Sequence, residues 1–229
     1  MVKEPTSIEI IGIGNVSAVL SGLDQPGDSN KTGVILAHGA ANDMNNSLIV
    51  AAADGLASAG YATLRFNFPY KEKGKKSPDT ESTLIRTWQS AVSHILKNKR
   101  FPVDRVVAAG KSMGGRIASQ MVAADQMAVQ ALIYLGYPLH APGRTDKLRD
   151  SHLYQIKKPM LFFAGTRDPL CNMEKLREVL HRLPGQCDLE IVEGGDHSFN
   201  VPKSSSRSAE LVHRQIVEKC LQWLDPIVK

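Results

Sequence analysis

Ser112 stands in the frame Gly110-Lys111-Ser112-Met113-Gly114, directly after the apolar run Val106-Val107-Ala108-Ala109 and directly before a stretch with helical spacing. A side chain on so sharp a strand-to-helix turn projects into a cleft, and glycines on either side let neighbouring backbone pass close by. An alcohol placed there is a candidate nucleophile, although the pattern alone equally describes a glycine-rich turn. A serine hydroxyl must lose its proton as it attacks, so it needs a base of near-neutral pKa within hydrogen-bond reach. The base in turn needs a group that fixes its tautomer and steadies the cation it becomes. His197, in Gly194-Gly195-Asp196-His197-Ser198-Phe199, has the first chemistry, and Asp168, in Gly165-Thr166-Arg167-Asp168-Pro169, has the second. Each has an ordinary alternative: Asp168 as a helix cap or turn residue beside Pro169, His197 as a loop histidine bonded to backbone. Taken together, three separate loops offering the needed residue types in the order Ser, Asp, His favour a catalytic triad.

The elements that must position these residues follow from hydrophobic periodicity. Residues 8–20 alternate around Gly12 and Gly14 and predict one or two antiparallel strands. Short apolar runs at 33–37, 61–66, 105–109, 129–135, 159–164 and 187–192 read as strands, most of them buried on both faces. Helical spacing at 46–59, 80–96, 113–124, 173–183 and 206–224 alternates with them, and the lysine-, glycine- and proline-rich stretch 69–79 reads as a mobile surface loop. Such alternation predicts a mostly parallel sheet flanked by helices, in one α/β domain spanning residues 1–229. In an open sheet of this kind ligands bind beyond the carboxyl ends of the strands. Ser112, Asp168 and His197 each follow a predicted strand and so face one edge.

An attacked carbonyl oxygen becomes an oxyanion, and each backbone N–H aimed at it contributes about 3 kcal/mol to lowering the barrier. The N–H of Met113, just after the nucleophile, and that of Ala40, after His38-Gly39, are the expected donors, with Ala41 on the same loop as the alternative donor and a candidate substrate-binding residue. His38 reads as a residue that shapes this loop rather than as a second base. Tyr137 and His140, in Tyr137-Pro138-Leu139-His140, follow a strand, and two roles stay open for them: lining the substrate cleft or packing a loop. About two dozen residues separate the strands at 129–135 and 159–164, which leaves little room for a large helical lid. An open, shallow site for small or water-exposed substrates is expected.

Composition narrows the function classes. The chain has 229 residues, 42% of them hydrophobic and 22% charged, which is ordinary globular make-up. No run reaches the roughly 20 apolar residues that span a bilayer, and the first residues lack a signal-peptide core, so neither a membrane partner nor export is expected. Cytoplasm is the expected location, with the nucleus left open. The three cysteines, Cys171, Cys187 and Cys220, suit neither a disulfide framework nor a zinc site. A net charge of +5, with Lys71, Lys73, Lys75, Lys76 and the group Lys97, Lys99, Arg100, invites a nucleic-acid reading. Those side chains fall in loops or at a helix end, without aromatic stacking residues or helix-turn-helix spacing, and no nucleic-acid partner is expected. Gly110-Lys111-Ser112 lacks the earlier glycine of a P-loop, and Ser17 stands where a dinucleotide motif after Gly12 and Gly14 needs glycine. No cofactor and no metal is expected.

With His38-Gly39, Gly110-x-Ser112-x-Gly114, Asp168 and His197 in register, the chain resembles the α/β-hydrolase superfamily over nearly its whole length. Within it, residues 38–44, 110–116, 137–140 and 147–150 are similar to a small dienelactone-hydrolase-like branch that includes testis-expressed protein 30 and the hydrolase domain of an NSL-complex subunit. The resemblance implies a hydrolase fold without a known natural substrate, and it admits a protein partner. Serine at 112 departs from the cysteine of true dienelactone hydrolases, which puts that chemistry itself in question. The expected activity is a metal-independent serine hydrolysis of an ester, thioester or amide in a small-molecule acyl substrate, through an acyl-enzyme. The alternative is a protein-interaction module on a hydrolase scaffold.

Overall fold

In β3 (Thr32–Ala37), β4 (Ala62–Phe66), β6 (Ala131–Leu135) and β7 (Met160–Gly165) every residue is buried, and β3, β6 and β7 accordingly run largely apolar without alternation, while β4 intersperses the buried Thr63 and Arg65. They sit inside an eight-stranded sheet that also contains β1 (Val2–Ile10), β2 (Gly14–Gly22), β5 (Arg105–Lys111) and β8 (Cys187–Val192), in the order β1-β2-β4-β3-β5-β6-β7-β8. The computed structural model describes residues 1–24 and 31–228. From β4 across to β8 all neighbours are parallel, while β1 with β2 and β2 with β4 are antiparallel.

Among the described residues six α-helices cover the sheet: α1 (Ser47–Ser58), α2 (Pro69–Glu72), α3 (Glu81–Leu96), α4 (Met113–Ala123), α5 (Met173–Leu180) and α6 (Ala209–Val228). Alternation along β5 shows how the two faces divide. Val106 and Ala108 pack with Trp88 of α3, Ile117 of α4 and Leu176 of α5, while Val107 and Ala109 pack with Leu48 and Ile49 of α1 and Ile216 of α6. The fold is thus the α/β architecture expected from the alternating segments.

The structure departs from the sequence expectations in two places and agrees with them in a third. The first strand begins at Val2, well before residue 8, and runs through Pro5, which the outermost position in the sheet allows because proline need donate no inner ladder bond there. The stretch 69–79 is not wholly a loop: Pro69 starts α2, Tyr70 is buried within it, and the exposed residues are Glu72–Pro78. The connection from β6 to β7 carries one short 3-10 turn, Leu153–Gln155, and no long helix crosses it.

Candidate active site

The turn from β5 into α4 is built by close backbone contact. A Cβ on Gly110 would lie 2.3 Å from the Gly115 nitrogen, and one on Gly114 would lie 2.7 Å from the carbonyl oxygens of both Ala37 and His38, so only glycine fits at either position. Between them Ser112 takes φ 50° and ψ −115°, a left-handed conformation that costs a non-glycine residue on the order of 1–3 kcal/mol and is tolerated where the surroundings enforce it. The strain lifts the hydroxyl off the strand end.

Ser112 Oγ lies 2.8 Å from His197 Nε2, and His197 Nδ1 lies 2.7 Å from Asp168 Oδ2. The partners fix the tautomer: a carboxylate can only accept, so Nδ1 carries the proton, and Nε2 is left bare to accept from the serine hydroxyl. Asp168 extends from the loop after β7, where its other oxygen accepts the Leu170 N–H at 2.8 Å, so it has the expected turn role as well. Its side chain is fully shielded, whereas that of His197 is 19% exposed and Ser112 is half-buried. A buried carboxylate thus orients a ring that reaches solvent beside a half-buried serine. Such an arrangement can withdraw a proton from Ser112 as its oxygen attacks and hold the resulting imidazolium.

Met113 is the first residue of α4, so its N–H has no carbonyl one turn earlier to bond, and the first bond at this helix start is Arg116 N–H to Ser112 O at 3.0 Å. Ala40 lies on the loop after β3, which passes close enough that a Cβ on Gly39 would stand 3.3 Å from Ser112 Cβ. The Gly39 carbonyl accepts from His38 Nδ1 at 2.8 Å, from the Asn42 N–H at 3.1 Å and from the Tyr70 hydroxyl at 3.3 Å. Tyr70 donates more closely to the Ala40 carbonyl, at 2.8 Å. Across a trans peptide the N–H points opposite to the C=O, so these donors turn the N–H groups of Ala40 and Ala41 away from the core. Arg65 braces the next stretch by donating to Met44 O and Asn45 Oδ1, and Asn67 accepts the Met44 N–H at 2.8 Å.

His38 also accepts the Phe68 N–H at Nε2, and its burial pulls its pKa down to about 4, so it is a neutral brace. Burial likewise raises the phenol pKa of Tyr70. Tyr70 was not anticipated; a Pro-Tyr pair after an apolar run is its only sequence trace, and its partners are visible only in three dimensions. Tyr137 and His140 are buried and internally bonded. The Tyr137 hydroxyl donates to Arg149 O at 2.6 Å, and its ring packs on Tyr134 and Phe162. His140 bonds Ala141 O through Nδ1 and accepts the Asn172 N–H through Nε2, so of the two roles considered the structure shows both residues in loop packing. Cys171 and Cys220 are buried thiols whose pKa values desolvation lifts to about 12. Among the described residues no group of three or more His, Cys, Asp and Glu side chains converges as a metal site, and no helix is long and apolar enough to cross a membrane.

Comparison with known proteins places this geometry in a wider set. The dienelactone hydrolase of Anabaena variabilis superposes with a TM-score of 0.76 at 20% identity, covering 100% of this chain and 99% of that one. Est1E of Butyrivibrio proteoclasticus with ferulic acid bound gives 0.72 at 20% identity over 96% and 99%. An α/β serine hydrolase without a lid from Xanthomonas campestris gives 0.73 at 18% identity over 96% and 94%. At such identities the likeness is one of fold. In sequence the chain is 26% identical over 180 residues to a Mycobacterium tuberculosis protein provisionally named a phosphoribosyl transferase, covering 78% of this chain and 39% of that protein. The chain therefore spans about two fifths of the length of the curated relatives it matches. Residues 30–225, from just before β3 to near the end of α6, match the alpha/beta hydrolase domain, and the chain belongs to that family.

Proposed function

We propose that the protein is a serine hydrolase of the carboxylesterase kind, acting on an ester, thioester or amide. The observation that carries this reading is the hydrogen-bonded line from the half-buried Ser112 through His197 to Asp168, at 2.8 and 2.7 Å. Ser112 Oγ attacks the acyl carbon and its proton passes to His197 Nε2, while the Met113 and Ala40 N–H groups hold the oxyanion. The tetrahedral adduct collapses, the leaving group takes the proton from His197, and an acyl-Ser112 ester remains. Water, deprotonated by the same imidazole, then adds to that ester and releases the acid with Ser112 restored. Asp168 stays anionic throughout and keeps Nδ1 as the protonated nitrogen.

The short connection between β6 and β7 supports a preference for small or water-exposed acyl substrates, since a long apolar chain needs a cover to leave water. We place the chain in the dienelactone-hydrolase-like branch on residues 38–44 and 110–116, and in the cytoplasm or nucleus, without nucleic-acid or membrane partners. A fluorophosphonate probe tests the reading. Labelling of the native protein that vanishes in Ser112→Ala, together with turnover of short p-nitrophenyl esters above long ones, is expected. No Ser112-dependent adduct overturns it in favour of a binding module that keeps the scaffold.

A further inference from the structure

Lys111 occupies the position before the nucleophile, on the strand face it shares with Arg105, Val107 and Ala109, and unlike the half-buried Arg105 it is buried. It is 2% exposed, a rare state for a lysine unless its charge is met. Its Nζ donates to the main-chain carbonyl of His197 at 3.1 Å, and the charged groups that face it are the carboxylates of Asp168, after β7, and Asp196, after β8. The stem and the ammonium therefore join the last residue of the nucleophile's strand to the residue that bears the imidazole. Asp196 organises the same loop from its other side, accepting the N–H groups of Ser198 at 2.7 Å and Asn200 at 3.0 Å.

We propose that Lys111 is a positioning residue: its buried ammonium holds the His197 loop in register with Ser112 through the bond to the His197 carbonyl. This rests on the hydrolase reading for its catalytic consequence, but the tether itself does not. A loop carrying one member of a proton relay has to be held to a fraction of an ångström, and a misplacement of about 1 Å costs on the order of 100-fold in rate. A backbone carbonyl is a robust handle for this purpose, because moving it moves the whole residue rather than rotating its ring. Burial lowers the Lys111 pKa from its ordinary value, so the tether's charge is lost at an alkaline pH below that of a surface lysine.

The test uses Lys111→Met, which keeps the stem and removes the donor, and Lys111→Gln, which keeps a donor without the charge. In Lys111→Met, kcat is expected to fall by on the order of 100-fold with KM little changed, and amide hydrogen exchange of residues 196–200 to quicken. Lys111→Gln is expected to recover much of kcat and to lose the alkaline limb expected in the native pH profile. Native kcat and native exchange in Lys111→Met overturn the proposal. Should that variant fail to fold, as circular dichroism will show, an alkaline limb unchanged in Lys111→Gln overturns it. A native protein without Ser112 labelling, but with faster loop exchange in Lys111→Met, refutes the hydrolase reading and leaves the tether standing.

Discussion

The two N–H donors proposed for the oxyanion, at Met113 and at Ala40, are placed by different physics. At the β5–α4 turn the positioning is done by main chain against main chain: the peptides around Gly110, Gly114 and Gly115 touch with no room for a Cβ. On the loop after β3 it is done by side chains, with His38, Tyr70, Arg65 and Asn67 each supplying one or two polar contacts. The first arrangement is indifferent to pH and to charge but intolerant of a single methyl group. The second rests on single side-chain groups: a neutral imidazole, a phenol hydroxyl, a guanidinium and a carboxamide. Two halves of one site therefore fail under different insults.

Three measurements break or sharpen that contrast. The largest effect is expected from Gly110→Ala, whose methyl group must displace the Gly115 nitrogen, rigid main chain that cannot rotate aside. A loss of about 4 kcal/mol or more, or failure to fold, is expected in urea unfolding, and a loss below about 1 kcal/mol shows that the turn yields after all.

Next comes the response of the other half to acid. His38 is fully buried with its pKa lowered from 6.5 to about 4, so between those values the unfolded chain binds a proton that the folded one refuses. Stability therefore falls as pH drops from about 6.5 toward 4 and levels off below, by up to about 3 kcal/mol from this group. His152, lowered to about 4 by burial and bonded to Ser119 at 2.7 Å, acts in the same direction and window. Urea midpoints for the native protein and His38→Gln across pH 6.5 to 4.5 isolate the contribution. Equal slopes for the two proteins refute it.

The smallest effect is expected from Tyr70→Phe, which removes the donor to Ala40 O and leaves the ring packed on Phe68. About 1 kcal/mol of stability is expected to go, with a fall in kcat for a p-nitrophenyl ester at nearly constant KM. A KM effect alone shows that the brace serves binding rather than the oxyanion loop.

How much of this was legible beforehand varied with the range of the interactions. The apolar runs marked the inner strands because burial on both faces leaves its record in consecutive residues, as in Gly33-Val34-Ile35-Leu36-Ala37. Ser112, Asp168 and His197 were readable because an α/β sheet presents its strand ends at one edge, and the structure joins the three by hydrogen bonds. What escaped was pairing at a distance. Nothing local says that Tyr70 donates to a carbonyl 30 residues earlier, or that Lys111 reaches the carbonyl of a residue 86 positions on. Tyr137 and His140 followed a strand as functional residues do, but their rings turn inward, a choice made by tertiary packing rather than by position after a strand. The early start of β1 was hidden for a similar reason, since its alternation is interrupted by Pro5 and only the neighbouring strand reveals it.

Pro5 carries a consequence for how the molecule meets copies of itself. On the outermost strand it faces Val19 across the ladder, and lacking an amide hydrogen it leaves a gap among the donors along the free border. An incoming extended peptide would find no continuous row of partners there, so the rim is guarded against edge-to-edge polymerisation by one imino acid.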